Sequence, residues 1–113
     1  MKDAMPNSPS PMEQLAEDKL TAALSNLPGW EVQGSQGTRG SALYKVFKFR
    51  TFVEAFTFMT AVAFHAEKMN HHPDWSNVYN KVSVKLTTHD AHGITENDIA
   101  LAHIMETHFQ SLK

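Results

Sequence analysis

The chain has 113 residues, 42% of them hydrophobic and 19% charged, and a formal net charge of −2. This fits one globular domain, and no feature favours direct binding to nucleic acid. The absence of cysteine excludes a disulfide framework and any thiolate metal site. Because the first thirty residues contain no apolar run of signal-peptide length and no run of about 18 apolar residues occurs, we expect no membrane association and a cytoplasmic location.

The N-terminal part contains three prolines among small and polar residues. Residues 1–11 are therefore predicted to be a disordered leader, followed by a single domain over 12–113. Ser10 and Glu13 resemble the capping residues of a first helix, which Pro28-Gly29 would end. Apolar residues at helical spacing predict its buried stripe, which consists of Ala16, Leu20, Leu24 and Leu27.

Two strands joined by a glycine-rich loop are predicted next, over residues 30–32 and 42–49. A phosphate-binding loop would lead into a helix, so a hairpin loop is favoured. The second strand has apolar residues on both faces, and Lys45 interrupts the more apolar one. This pattern indicates a strand that is covered twice or that lies near a subunit boundary.

The longest helical pattern runs from Thr51 to Met69 and is apolar around most of its circumference. A helix that lies on one face of a sheet needs an apolar stripe of only about 100°. One sheet in so short a chain cannot cover the rest, so we expect the outer face to pack against another subunit. The two stripes consist of Phe52, Phe56, Met59 and Ala63, and of Val53, Thr60 and Phe64.

The next segment is predicted to be a connection over Asn70 to Asn77, because Pro73 cannot continue a helix. Alternating apolar residues then predict a strand from Val78 to Leu86, and a strand or a strand pair is expected at this place in the chain order. After a turn at 91–93, Thr95-Glu96-Asn97-Asp98 resembles a capping box, and the last helix would bury Ile99, Ala102, Met105 and Phe109. Helices and hairpins in this order favour an antiparallel sheet covered on one side.

Three of the seven histidines, His71, His72 and His89, lie at the two ends of that strand. Imidazole exchanges protons near neutral pH. A strand of this length spans roughly 27 Å, so these residues could meet only if a strand pairing or a helix folds one end back. Three interpretations stay open: metal-free proton transfer, unrelated surface residues, or a metal site built from His65, His71, His72 and His89 with Glu67 or Asp90.

Several separated motifs resemble pterin-4a-carbinolamine dehydratases, and the likeness covers nearly everything after Trp30. Any one of them alone would be a weak signal, but together they are in register. The motifs are Phe52-x-x-Ala55-Phe56-x-Phe58-Met59, Glu67-Lys68-x-x-His71-His72-Pro73, Asn77-Val78-Tyr79-Asn80-x-Val82, Thr88-His89-Asp90 and Gly93-x-Thr95-x-x-Asp98-x-x-Leu101-Ala102.

The resemblance implies an α+β fold, with a four-stranded antiparallel sheet and three helices packed on one face. It also implies dimers or tetramers, for which we expect self-association through helix 51–69 and a sheet edge. The implied reaction dehydrates a 4a-hydroxytetrahydropterin to quinonoid dihydropterin and water, in tetrahydropterin recycling after aromatic amino-acid hydroxylation. The resemblance implies no metal and no organic cofactor. An alternative is a protein-interaction module, because animal members also act as dimerisation cofactors of a transcription regulator.

The residues that the resemblance places at the site fall in two groups. His71, His72 and His89 would be the catalytic histidines, with His71 and His89 exchanging protons and His72 holding the pterin ring. Family members often carry Asp in place of Asn70 and Gly in place of His92, so the charge at position 70 and the pocket rim differ here. The expected substrate-binding residues are Glu67, Asn70, Pro73, Trp75, Thr87, Thr88 and Asp90.

Overall fold

The computed structural model describes residues 13–34 and 40–113. Four strands form one antiparallel sheet in the order β1-β2-β4-β3. The α+β class and the four-stranded antiparallel sheet are confirmed, whereas the proposed leader lies outside the described residues. The elements are α1 (Glu17–Leu24), β1 (Glu31–Gln33), β2 (Ala42–Lys48), α2 (Phe52–Met69), β3 (Asp74–Val78), β4 (Lys81–Leu86), a 3₁₀ turn (His89–Ala91) and α3 (Glu96–Ser111).

The helices cover one face of the sheet, and the core lies between the two layers. Phe47 of β2 is at its centre, with ring centroids 4.8 Å from Phe58 and 5.1 Å from Phe109. Alternate residues of β4 point to this core, where Val82 and Val84 are fully buried. The opposite face of the sheet is open, since Val46 on it is 43% exposed.

Lys45 interrupts the apolar face of β2 because it belongs to a polar cluster at one end of the core. Its Nζ lies 2.5 Å from Oε2 of Glu106 and 3.0 Å from the carbonyl oxygen of Pro28. The indole N–H of Trp30 donates to the same carboxylate oxygen at 2.9 Å. The cluster therefore joins β2, α3 and the turn that follows α1.

The first helix begins later than predicted, at Glu17 with Ala16 as its N-cap. Ser10 lies outside the described residues, and residues 13–16 are not helical. Instead, the N–H of Leu15 donates to the carbonyl of Ile94 at 2.9 Å. This long-range bond holds the segment extended, so the capping pattern at Ser10 and Glu13 was misleading.

Of the predicted strand or strand pair, the structure has the pair, which is the hairpin of β3 and β4. The predicted connection over 70–77 was too long, because β3 begins at Asp74, and the strand predicted from Val78 begins at Lys81. The two strands meet at a turn in which Tyr79 has a φ of 54°. The side-chain amide of Asn77 donates to the carbonyls of Tyr79 and Lys81 at 3.0 and 2.9 Å. Such side-chain bonds stabilise tight turns. In the sequence, Val78 and Val82 fit the alternation of one continuous strand, but the turn places them on opposite faces, with Val78 73% exposed and Val82 fully buried.

One face of α2 packs on the core and the other is uncovered in the single chain. Ala55, Phe58, Val62 and Ala66 are buried. The uncovered apolar face, called the α2 outer face, includes Val53 and Phe64, which are 71% and 74% exposed. Its residues line a cavity of about 770 Å³ and are Phe52, Val53, Phe56, Thr57, Thr60, Ala61 and Phe64. The subunit contact expected there stays a prediction.

Over residues 13–34 and 40–113, none of the helices combines the length and apolar character needed to cross a membrane.

Candidate active site

The β3–β4 hairpin brings the two histidine-containing segments to one end of the sheet. Asp74, at the start of β3, pairs with Lys85, near the end of β4. The connection that precedes β3 and the turn that follows β4 therefore leave the sheet side by side. This hairpin provides the fold-back that the sequence required for His71, His72 and His89 to approach one another.

Asn70 controls how the chain leaves α2 and enters this region. It adopts a left-handed conformation, with φ 52° and ψ 44°, and its N–H donates to carbonyls of the last helical turn. The N–H of His71 donates to the carbonyl of Ala66 at 3.0 Å. These bonds end the helix abruptly. As a result, the side chain of His71 is buried whereas that of His72 is exposed.

The centre of the site is the carboxylate of Asp98, which is completely buried. Its Oδ1 lies 2.6 Å from Nε2 of His71, which is 8% exposed. Its Oδ2 accepts from the hydroxyl of Thr88 and from the N–H of Thr95, each at 2.8 Å. The hydroxyls of Thr88 and Thr95 are themselves 2.6 Å apart. Both oxygens of the carboxylate are thus fixed by hydrogen bonds, and they hold the imidazole of His71 in one orientation.

The same carboxylate shows why α3 begins at this point. Thr95 caps the helix through its hydroxyl, and Asp98 returns a bond to the N–H of Thr95. The predicted capping box is confirmed. Oδ2 of Asp98 thus accepts a hydrogen bond at the N-terminus of the helix, while Oδ1 contacts His71.

A second imidazole–carboxylate pair lies at the surface. Nε2 of His72 is 2.8 Å from Oε1 of Glu67, which projects from the last turn of α2. Both side chains are largely exposed, at 58% for His72 and 79% for Glu67. This contact supports the expectation that Glu67 orients an imidazole.

The other expected site residues lie around these pairs. His89 and Asp90 are exposed in the 3₁₀ turn, directly after Thr88. The hydroxyl of Thr87 donates to the carbonyl of Ser41 at 2.8 Å and so ties the end of β4 to the start of β2. Pro73 and Trp75 are half-buried, and Trp75 packs against the core.

His65 does not join this region, although one interpretation of the sequence included it in a metal site. Its Nε2 lies 3.2 Å from Nε2 of His108, across the contact between α2 and α3. Among the residues that the structure describes, no group of three or more His, Asp or Glu side chains could hold a metal ion. Nothing there supports the metal site that was drawn from His65, His71, His72 and His89.

Sequence reasoning missed Asp98 as a member of the site. The signal was present, since Thr95-x-x-Asp98 was identified as a capping box and also as part of the family-like pattern. A capping box is common at helix N-termini. The contact with His71 depends on packing between segments 27 residues apart in the chain, and local spacing does not show it.

Substitutions of Asn70 test whether its left-handed backbone conformation contributes to the stability of the fold. Asn70→Gly is expected to change the free energy of unfolding by less than about 1 kcal/mol, because glycine adopts positive φ freely. Asn70→Val is expected to cost about 1–2 kcal/mol, since a Cβ-branched side chain is strained in this conformation. Urea denaturation of both variants measures the difference. Equal stability of the two would contradict the role of the left-handed cap.

The similarity of this chain to known proteins can now be compared with this geometry. The family model described as "Pterin 4 alpha carbinolamine dehydratase" matches residues 13–108. A candidate pterin-4-alpha-carbinolamine dehydratase of Mesorhizobium japonicum is 55% identical over 97 residues, which cover 86% of this chain and 95% of the relative. The chain belongs to the pterin-4a-carbinolamine dehydratase family.

A second relative and a crystal structure agree with this assignment, and a more distant structure shows the same fold. A candidate dehydratase of Rhizobium johnstonii is 52% identical over 95 residues, which cover 84% of this chain and 90% of the relative. A crystal structure from Brucella melitensis, described as a transcriptional coactivator/pterin dehydratase, has a TM-score of 0.78 and 42% identity, covering 85% of this chain and 98% of the other. A pterin dehydratase-like RuBisCO assembly factor of the alpha-carboxysome, with 22% identity and a TM-score of 0.60 over 72% of this chain and 89% of the other, shares the fold.

Proposed function

We propose that this protein is a hydro-lyase that dehydrates a 4a-hydroxytetrahydropterin to quinonoid dihydropterin and water. The observation that carries the proposal is the buried pair of His71 and Asp98, with a 2.6 Å contact, in a chain that belongs to this family. A polar pair that is removed from water beside an exposed histidine segment suits acid–base chemistry better than it suits stability alone.

The Asp98 carboxylate determines which nitrogen of His71 can act. Because Oδ1 of Asp98 accepts a hydrogen bond from Nε2, the neutral ring carries its proton on Nε2. Nδ1 is then the nitrogen with a free lone pair. In this arrangement His71 accepts a proton at Nδ1, and the carboxylate stabilises the resulting imidazolium, as in other His–Asp pairs.

The reaction requires one proton to be supplied and another to be removed. The bond from C4a to the hydroxyl oxygen breaks as an acid protonates that oxygen, which leaves as water. A base removes the N5 proton, and its bonding electrons form the C4a–N5 double bond. General acid and general base catalysis each contribute typically ~10²–10⁴-fold. We assign these two steps to His71 and His89.

The remaining residues would bind and position the pterin. His72, oriented by Glu67 at 2.8 Å, would contact the ring. Pro73 and Trp75 would form part of the wall, and Asn70, Thr87, Thr88 and Asp90 would border the substrate. Of these, Thr88 has a further positioning task, because its hydroxyl donates to Asp98 at 2.8 Å. The chemistry needs no metal and no organic cofactor.

The activity itself can be measured by stopped-flow absorbance. The 4a-carbinolamine is generated by an aromatic amino-acid hydroxylase and mixed with the purified protein, and formation of quinonoid dihydropterin is followed. We expect the rate to exceed that of spontaneous dehydration and to be unchanged by a chelator. A rate equal to the uncatalysed one would refute the proposed function, and loss of activity on chelation would refute metal-free catalysis.

The α2 outer face supports a second proposal, that two copies of this chain associate through it. Four large apolar side chains on one helix face are about half exposed or more, namely Phe52, Val53, Phe56 and Phe64. Contiguous apolar surface of this kind marks interaction sites. We expect this face, together with a sheet edge, to form a dimer or a tetramer. The alternative is that a different protein, such as a transcription regulator, binds the α2 outer face.

Light scattering distinguishes self-association through the α2 outer face from binding of a different protein there. A homo-oligomer that dissociates in the variant Phe64→Lys supports self-association, whereas a monomeric wild-type protein contradicts it. Stoichiometric capture of another protein that depends on Phe64 would favour the interaction module instead.

A further inference from the structure

Two histidines outside the proposed active site face each other across the contact between α2 and α3. His65 projects from α2 and His108 from α3, and their ring centroids are 5.2 Å apart with planes tilted by 54°. The closest atoms are the two Nε2 nitrogens, at 3.2 Å. Both side chains are half-buried, so packing against neighbouring residues restricts the orientations of the two rings.

This distance matches that between two imidazole nitrogens bound to one transition-metal ion. Metal–nitrogen bonds of about 2.0–2.1 Å separate the nitrogens by about 3.3 Å in tetrahedral geometry and by about 2.9 Å at right angles. The observed 3.2 Å lies between these values. The two nitrogens therefore need little change in separation to bind one ion, which lowers the ordering cost of binding.

We propose that His65 and His108 form a two-histidine site for a late first-row divalent ion, such as Cu²⁺ or Zn²⁺. Imidazole nitrogens are good ligands for these ions, and affinity rises toward Cu²⁺. Because no third His, Asp or Glu among the described residues joins the pair, solvent would complete the coordination and the ion would exchange readily. The site would link α2 to α3.

Binding changes the tautomer of one ring. In the free pair, one Nε2–H donates to the lone pair of the other Nε2. To bind the ion, both nitrogens must present lone pairs, so the donating ring moves its proton through solvent from Nε2 to Nδ1. No net proton is released when both rings start neutral.

The site is separate from the proposed catalytic region. Asp98 and His108 are ten residues apart on α3, which corresponds to about 15 Å along the helix. His65 lies on α2, before the cap at Asn70 that introduces the catalytic segment. Metal binding can therefore be tested independently of dehydratase activity.

The test uses metal-free full-length protein and Zn²⁺ alone, followed by NMR of ¹⁵N-labelled histidine rings. At less than one equivalent, we expect the signals of His65 and His108 to change first, with both Nε2 nitrogens shifting to values typical of metal ligation. First changes at His71, His72 or His89, or no change at any ring, would overturn the proposal. This measurement needs no variant to fold.

Calorimetric titration with Cu²⁺ provides an independent comparison. His65→Gln and His108→Gln are expected to weaken binding by roughly tenfold or more, because each removes half of the chelate. The matched control is His103→Gln, an exposed imidazole on the same helix that lacks this pairing, and its affinity should equal that of the wild type. Equal affinity of the wild type and all three variants would refute the site.

Discussion

Replacing His71 by glutamine is expected to lower the rate of carbinolamine dehydration by ~10²–10⁴-fold, measured above the spontaneous reaction. Glutamine can still donate a hydrogen bond to the buried Asp98, so the carboxylate keeps a partner, but it cannot accept the N5 proton. His89→Ala is expected to lower the rate by a factor in the same range, and the double replacement should leave only the spontaneous rate. Wild-type turnover in the double variant would end the proposed mechanism.

Asp98→Asn separates the effect of tautomer from that of side-chain volume. An amide can present its N–H to Nε2 of His71 and so favour the opposite tautomer, with the proton on Nδ1. The rate is expected to decrease as for His71→Gln, whereas the bonds from Thr88 and Thr95 can partly persist. Circular dichroism and the thermal midpoint report whether the fold is kept. The matched control His103→Gln, at an exposed position of α3, should leave the rate unchanged.

The largest expected loss of stability comes from removing the carboxylate of Glu106. Its Oε2 accepts hydrogen bonds from Lys45 and Trp30, and the Lys45 and Glu106 side chains are only 13% and 15% exposed. Glu106→Ala would leave an ammonium group and an indole N–H without their partner. The expected cost is about 3 kcal/mol in the free energy of unfolding, the lower end for a broken buried ion pair.

A double replacement identifies the source of this loss. Lys45→Met combined with Glu106→Leu removes both charges and should recover much of the stability. The attraction between two buried charges offsets only part of the cost of removing them from water, so apolar replacements of similar size lose little. The controls are Lys48→Met on the same strand and Gln110→Ala one turn further along α3, both exposed. Each should change the free energy of unfolding by about 0.5 kcal/mol or less. A double variant as unstable as Glu106→Ala would show that lost packing, rather than an unpaired charge, sets the cost.

Much of the fold could be predicted because its signals are local. The apolar pattern of α2 correctly placed a helix over Phe52–Met69, and Thr95 with Asp98 correctly marked the start of α3. The uncovered face of α2 also followed from counting apolar residues around the helix. Periodicity alone is sufficient where an element is long and ends at a distinct capping residue.

The errors occurred where the apolar pattern does not show the contacts that decide the structure. The start of α1 was placed too early because Leu15 bonds to Ile94, far away in the sequence. The turn at Tyr79 was missed because Val78 and Val82 fit the apolar spacing of one strand, although the structure places them on opposite faces. Because the position of the hairpin turn was not predicted, the distance between His71 and His89 could not be predicted either. The site histidines came from the family resemblance, whereas Asp98 became visible as the partner of His71 only through the packing of α3.

The order of strands in the sheet has a consequence for how the molecule folds. The central pairing joins Leu43 to Leu86, about forty residues apart, across the whole of α2. By contrast, the β3–β4 hairpin and the residues proposed for catalysis all lie between Glu67 and Asp98. Closing the longer loop costs more chain entropy before its contacts are gained. The amides of Ser76 and Ser83 face each other across the β3–β4 pairing. In pulse-labelled refolding they should therefore gain protection before those of β2, so that the half with the residues proposed for catalysis is ordered before the sheet is complete.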